Sequence, residues 1–485
     1  MHKWLSSCAL VAVAASGYSS HTYYVSVSGK DTNMGSQTAP WQTIQHACNK
    51  VASGDTVLVE TGIYNEAVTI LRPMTLENAP SAKPVIDGTG VPVPDRNAAL
   101  VLIQGVSGVV LQGFEIRNYK TSNSALVPAG IFVDGSANGI TIRDNVVHAI
   151  ENDGPVAASI NAFGIAVYGD SPDGAITNLV ITGNHVYATK TGNSETINVD
   201  GNVDGFQITN NVVHDVDNIG IDCIGFEGVS PIAGQDQARN GEVSGNTVYN
   251  VTSLKNPAYG GQQSADGIYV DGGKSIVIER NIVHNADIGI EVASEHVGKV
   301  ASEVIVRNNL DYLSNVVGIS IGGYDRSVGG TLSCTFVNNT LYENDTTNSG
   351  SGELQIQYHT SGNAFKNNVL YASGQGVFIS EATTGTPGLL SDFNDYHTAG
   401  SPSWTWGPNT YTSLASFATG SKGDVHSKFA NPEFVNPAGL NFQLKPASPA
   451  ISAGVDLGTN IVGLVDLAGQ PRLDGIKLDV GCYES

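Results

Sequence analysis

A short phrase recurs between residues 130 and 380, and it constrains the fold more than any other feature of this chain. Its first half reads Gly-Ile-x-Val or a close variant. It begins at Gly130, Gly164, Gly220, Gly267, Gly289 and Gly318. Its second half, Val-x-x-Asn-x-Val followed by His or Tyr, is marked by Asn145, Asn184, Asn211, Asn246, Asn281, Asn309, Asn339 and Asn368. Neighbouring markers lie between 27 residues (Asn184 to Asn211) and 39 residues (Asn145 to Asn184) apart. That period belongs to solenoids, in which each repeat buries its apolar face only by stacking on the next. Each phrase alternates apolar and polar residues, as a strand with one buried face must. The repeat therefore predicts an all-β chain built as a parallel β-helix, and it lets side chains of successive coils be aligned in columns.

Composition agrees and removes some functions. Only 14 % of the 485 residues are charged, long helical periodicity is nearly absent, and glycine is abundant. The net charge is −22, from 23 Lys plus Arg against 45 Asp plus Glu. Such a chain repels a phosphate backbone, so no nucleic-acid partner is expected. Residues 1 to 16 read as an export signal. His2 and Lys3 form the polar start, Cys8 to Ala15 a short apolar run, and Ala12-Val13-Ala14 a small-residue cleavage site. The run is too short for a membrane span, so a secreted or periplasmic protein is expected. Cys48, Cys223, Cys334 and Cys482 lie far apart and read as buried thiols, and no Cys or His spacing suggests a metal site.

The chain divides into the signal, a solenoid over residues 17–391 and a C-terminal extension over 392–485 that wraps the last coils. Trp41 to Val51 is the one amphipathic helix expected, with Trp41, Ile44, Ala47, Cys48 and Val51 on one side. It would cap the open N-terminal end, where strand edges and core are otherwise exposed.

The opening Tyr23-Tyr24-Val25-Ser26-Val27-Ser28-Gly29, the strand entry Gly54-Asp55-Thr56-Val57, the coil phrases and the ending Asp479-Val480-Gly481 carry a resemblance. Together they resemble the right-handed parallel β-helix proteins of the pectate-lyase-like superfamily, over nearly the whole chain past the signal. That superfamily includes lyases, glycoside hydrolases, epimerases and phage tail proteins, so the resemblance implies a fold and leaves the activity open.

Strand alternation turns the residue after each Ile, and the residue after each Val, away from the core. One outward column then reads Phe132, Ala166, Asn198, Asp222, Tyr269, Glu291, Ser320, Gln355 and Phe378. Its neighbour reads Asp134, Tyr168, Asp200, Ile224, Asp271, Ala293, Gly322, Gln357 and Ser380. Asp222, Asp271 and Glu291 meet on three consecutive coils, with Tyr269 among them. Diagonal neighbours such as Asp271 and Glu291 sit about 8 Å apart at the backbone, which suits the paired carboxylates of a glycosidase. As outward residues they are expected to be exposed, and their loss to leave stability nearly unchanged. The turns add Phe226, Glu227, Glu295 and His296. The insertion from Asn250 to Ala265 adds Tyr259 as a groove wall, and Asp266 opens the strand that ends at Asp271. The asparagines read as a hydrogen-bonded ladder at a turn. His148, His214 and His284 share their repeat position with tyrosines and read as structural.

The segments Asp266-Gly267-Ile268-Tyr269-Val270-Asp271 and Gly289-Ile290-Glu291-Val292 are similar to the catalytic strand pair of the β-helix β-xylosidase family. That resemblance implies Asp271 as nucleophile and Glu291 as acid/base. The reading is a glycoside hydrolase acting on a polysaccharide or oligosaccharide, with no cofactor required. A lyase or epimerase acting on uronic-acid polymers would instead use calcium held by Asp222, Asp271 and Glu291. It would also need a base, and Lys255, Lys274, Arg239, Lys299 and Arg326 fall on neither column. A non-catalytic glycan-binding solenoid would use Tyr269, Phe226 and Tyr259 for stacking alone.

Overall fold

Each repeat phrase forms one coil of a right-handed parallel β-helix. The structure is a computed structural model that describes residues 20–94, 98–155, 160–383, 388–473 and 477–485, so the export signal read at residues 1 to 16 lies outside the described residues. Among these residues the strands gather into one 17-stranded and two 13-stranded sheets, with a two-stranded sheet near the C-terminus. One 13-stranded sheet, here the front sheet, contains Ile221–Cys223, Asp266–Asp271 and Ile288–Ala293. The other, here the ladder sheet, contains Val212–Val216, Thr247–Val251 and Ile282–Ala286.

The alternation works as the sequence requires. Ile221, Cys223, Ile268, Val270, Ile290 and Val292 are all fully buried in one continuous core. The leading glycine of the phrase has a steric cause. A Cβ on Gly267 would lie 2.7 Å from the Gly289 carbonyl oxygen of the next coil and 2.5 Å from a methyl of Val283. Only a residue without a side chain lets neighbouring coils close there.

The asparagines form the expected ladder at the turn into the ladder sheet, and Asn394 extends it by one rung. From Asn145 to Asn394, each side-chain Nδ2 donates to the Oδ1 of the next rung at 2.9–3.3 Å. The residue before each rung, from Asp144 to Asn367, has φ between +54° and +67°, and so makes the corner. Further along the same sheet, His148, Tyr187, His214, Tyr249, His284 and Tyr312 stack with centroids 4.7–5.2 Å apart.

The capping helix is present but shorter than expected, at Ile44–Lys50. Thr43 is its N-cap, accepting from the His46 N–H, and Trp41 stacks on Tyr23 at 4.9 Å instead of starting the helix. The coils also run past residue 391. Parallel pairing continues through Asp395–Thr398 and Ser403–Trp406, because Tyr396, Trp404 and Phe417 supply a further aromatic core layer. The chain after these coils lies along the outside. Asn308, Asn338 and Asn367 donate to the carbonyls of Val462, Asp479 and Val455, each at 2.9 Å. Phe442 closes on Tyr312 and Tyr342.

Two column assignments fail, those of Phe378 and Ser380. Gln355 pairs with Ser380, not with Phe378. Phe378 is fully buried against Trp404 and Tyr396, with ring centroids at 4.8 and 5.2 Å. The aromatic core draws it inward, and the register is irregular between Val377 and Ile379. The four cysteines are free and buried. No helix of the described residues is long and apolar enough to cross a membrane.

Candidate active site

The front sheet brings the sequence-aligned carboxylates together in the expected register. Asn198 pairs with Asp222, Asp222 with Tyr269, Tyr269 with Glu291 and Glu291 with Ser320. Asp271 pairs with Ala293. Asp271 is therefore diagonal to Asp222 on one side and to Glu291 on the other, about 8 Å away at the backbone in each direction.

Loops build a cavity over one of these diagonals. A cavity of about 680 Å³ opens on this sheet. Its carboxylates are Glu195, Asp200, Asp222, Glu227, Asp271 and Glu295, and Phe163, Tyr168, Tyr259 and Tyr269 supply its aromatic surface. Glu291 is not among its lining residues. The Glu291 side chain instead accepts from the Ser320 hydroxyl at 2.9 Å and meets the carboxyl of Asp266. Asp266 is equally withdrawn, and burial and then Glu291 raise its pKa well above the usual range.

The walls are pinned by hydrogen bonds that reach far along the chain. Asn256 Nδ2 donates to the carbonyls of Gly192 (2.7 Å) and Asp217 (2.9 Å), fixing the 250–265 insertion against an earlier coil. The Asn256 Oδ1 accepts from the Ala258 N–H and so starts the short turn of helix Pro257–Tyr259 that presents Tyr259. Opposite, Asp236 accepts from the N–H groups of Gly228 (2.6 Å) and Ser230 (2.8 Å), which holds the loop carrying Glu227. The Glu295 N–H donates to Asp271 Oδ1 at 2.8 Å.

The expectation that these carboxylates are exposed is wrong. Asp222 is 2 % exposed, Asp271 4 % and Glu291 8 %. They point away from the β-helix core, but the loops cover them. Burial raises the pKa of Asp222 well above the carboxylate range, and Glu195 and Asp271 push it further. Burial does the same to Asp271, reinforced by Glu295 and opposed by the Glu295 N–H. Glu195 is pushed up to about 8 by burial and then Asp200. Asp200 is pushed up to about 8 by burial and then Glu227.

The remaining predicted residues sit at the rim. His296 Nε2 lies 3.1 Å from Glu227 Oε1. Phe226 does not line the cavity. It is half-buried over Gly272, with the Lys299 ammonium 5.0 Å from its ring centre. Among the described residues, the ligand atoms that come within 4.8 Å of one another are those of Glu227, Asp271 and His296. Asp222, Asp271 and Glu291, the expected calcium set, do not form such a group, because Glu291 turns to Asp266.

The column alignment does not reach Glu195, and it gives Asp200 and Tyr168 only as column members. Their coil offers one local signal. Asn198 Nδ2 donates to Glu195 Oε2 at 3.0 Å, and the strand Ile197–Gly201 pairs with Ile165–Gly169 although Thr196 replaces the leading glycine.

Comparison with solved structures places the chain among parallel β-helices. It is similar to the structure titled "The complex structure of XylC with xylose" (TM-score 0.52, 12 % identity, 96 % of this chain and 99 % of that chain). It is similar to the GH136 lacto-N-biosidase from Eubacterium ramulus (TM-score 0.57, 15 % identity, 78 % and 68 %). A third is pectate lyase Pel9A (TM-score 0.51, 17 % identity, 96 % and 97 %). At these identities the likeness concerns the fold.

Residues 27–79 match the family described as "Protein of unknown function (DUF1565)". The chain belongs to the family of the "Uncharacterized protein YwoF" of Bacillus subtilis (strain 168), to which it is 38 % identical over 435 residues, 88 % of this chain and 91 % of that protein.

Proposed function

We propose that this protein is an exported carbohydrate-active enzyme, a glycoside hydrolase whose working carboxyl groups are Asp222 and Asp271. One observation carries the reading: these two diagonal carboxyls on adjacent coils line one cavity together with Tyr168, Tyr259 and Tyr269. Support also comes from similar β-helix structures whose titles name a lacto-N-biosidase, a xylose complex and a pectate lyase.

The roles follow from environment. Asp222 keeps its proton through burial and two carboxylate neighbours, and its Oδ1 has no partner, so it acts as the general acid toward the glycosidic oxygen. Burial and Glu295 push Asp271 up as well, but the Glu295 N–H donates to it, opposes that push and fixes its orientation. Asp271 serves as nucleophile or as base toward water, and no metal takes part. Among the described residues no Lys or Arg lines the cavity, which disfavours elimination on a uronate.

Asp222→Asn and Asp271→Asn should each lower turnover on oligosaccharides at least about a hundredfold, with activity unaffected by chelation in the wild type. Glu291→Gln, outside the cavity, should cost less than about tenfold. New reducing ends without unsaturated products would identify hydrolysis. Near wild-type rates in both Asp variants would overturn the assignment. Secretion of the full chain, and its retention in cells once residues 1 to 16 are deleted, tests the export reading.

A further inference from the structure

The cavity holds more carboxyl groups than hydrolysis uses. Two carboxyl groups suffice for the chemistry, yet Glu195, Asp200, Glu227 and Glu295 line the same space. Asp200 and Asp222 are 3 % and 2 % exposed, and each has an Oδ1 with no hydrogen-bond partner. Asn198, the residue paired with Asp222 and fully buried beside the cavity, spends its Nδ2 on Glu195 and also leaves its Oδ1 unpartnered. Asn198 Oδ1 is an acceptor, and so is Asp200 Oδ1 once its carboxyl gives up its proton to a base. Buried polar atoms are normally satisfied, so a run of unmatched acceptors marks groups that a ligand completes.

That ligand must bring donors. A uronate would add charge of the same sign. A neutral sugar would offer hydroxyl donors but leave the carboxylates uncompensated. An ammonium group offers three N–H donors and a positive charge, and no Lys or Arg among the described residues lines the cavity to compete for the acids. The position is also suitable. Asp200 and Glu195 belong to the coil before Asp222, one strand spacing (about 4.8 Å) along the axis, within one sugar ring of the scissile bond. The net charge of −22 would draw a cationic chain toward the protein.

We propose that the sugar bound next to the cleaved bond is an unacetylated amino sugar, its ammonium held by Asp200 and Glu195 beside Asp222. This rests on the hydrolase reading and names the substrate class for it.

Binding to the full-length Asp271→Asn protein, which should not turn substrate over, tests the proposal by calorimetry at pH 7. The probes are a glucosamine tetramer, its fully N-acetylated counterpart and a galacturonate tetramer. The glucosamine tetramer should bind at least about thirtyfold more tightly than the acetylated one. Added Asp200→Asn should remove most of that preference while leaving affinity for the acetylated tetramer within about twofold. Equal affinity for the two, or preference for the galacturonate, would overturn the proposal. So would zinc binding that is lost in His296→Ala when no amino sugar binds, because the acids would then serve a metal at Glu227, Asp271 and His296. Hydrolysis of neutral oligosaccharides by the wild type would leave the hydrolase reading standing in each of those cases. An amino-sugar preference without turnover of any glycan would retain the binding site and remove the hydrolase.

Discussion

Two columns of polar residues run along the axis of this β-helix, and their hydrogen-bond accounts differ. On the ladder side each asparagine both gives and accepts. Asn246 donates to Ile208 O and Asn281 Oδ1 at 2.9 Å, while its own Oδ1 accepts from the backbone and side chain of Asn211. An amide can stack on copies of itself indefinitely because it is self-complementary. On the front side the stacked or diagonal residues are carboxyl groups, which when ionised only accept. Burial and their mutual repulsion push their pKa values up, and several oxygens stay unmatched. The same scaffold thus carries one column whose groups satisfy each other and one whose groups cost stability. Strongly perturbed acids in a cleft are a functional signature for that reason.

Exchanging the chemistry of the two columns should expose the difference, and the ladder should suffer most. Asn281→Asp replaces a buried donor with an acceptor facing Val243 O and Asn309 Oδ1, now 2.9 and 3.0 Å from the amide nitrogen. Breaking that rung while introducing a buried charge should cost about 3–5 kcal/mol. Chemical denaturation at pH 7 measures it. A loss below about 1 kcal/mol would mean the ladder contributes little, since even one orphaned buried donor or acceptor costs that much.

The reverse exchange should stabilise. Asp200→Asn gives the front column a neutral amide where the native carboxyl is pushed up to about 8. A carboxyl whose folded pKa exceeds its unfolded value lets the folded state bind more protons between the two. Its stability contribution is complete below the unfolded value near 4 and is lost as pH rises through about 8. The wild type should therefore lose thermal stability from pH 5 to pH 8.5. Asp200→Asn should lose less, gaining about 1–3 kcal/mol relative to wild type at pH 8.5 and nearly nothing at pH 4. An equal change at both pH values would show that proton linkage at Asp200 is not the cause.

The contrast also explains what could be read from the chain. Coil phrases, ladder rungs and the pairing of Asn198, Asp222, Tyr269 and Glu291 depend on a local period, and alternation alone delivers them. Which carboxyl shares the cavity with Asp271 does not. It depends on Asn256 reaching Gly192 across 64 residues and on Glu291 finding Ser320 and Asp266. Burial of the carboxylates is hidden for the same reason, because loops outside the repeat cover them. Phe378 shows the opposite failure, where the repeat continues in sequence but the aromatic core at Trp404 turns the side chain inward.

A third column gives the smallest effect and completes the comparison. His214 lies between Tyr187 and Tyr249 at 5.2 and 4.7 Å, with interplanar angles of 3° and 8°. What this stack requires is a flat ring at the coil spacing, since other coils place tyrosine at the same register. His214→Tyr keeps the ring and should change stability by no more than about 0.5 kcal/mol. His214→Ala removes three ring contacts, with His185, Tyr187 and Tyr249, and should cost about 1–3 kcal/mol. Neither should alter hydrolysis, because the stack sits on the ladder sheet and the carboxylates on the front sheet. Thermal melts and turnover of the two variants provide the measurement. Loss of activity in a stably folded His214→Tyr protein would show that the columns are coupled and that this histidine is more than a repeat residue.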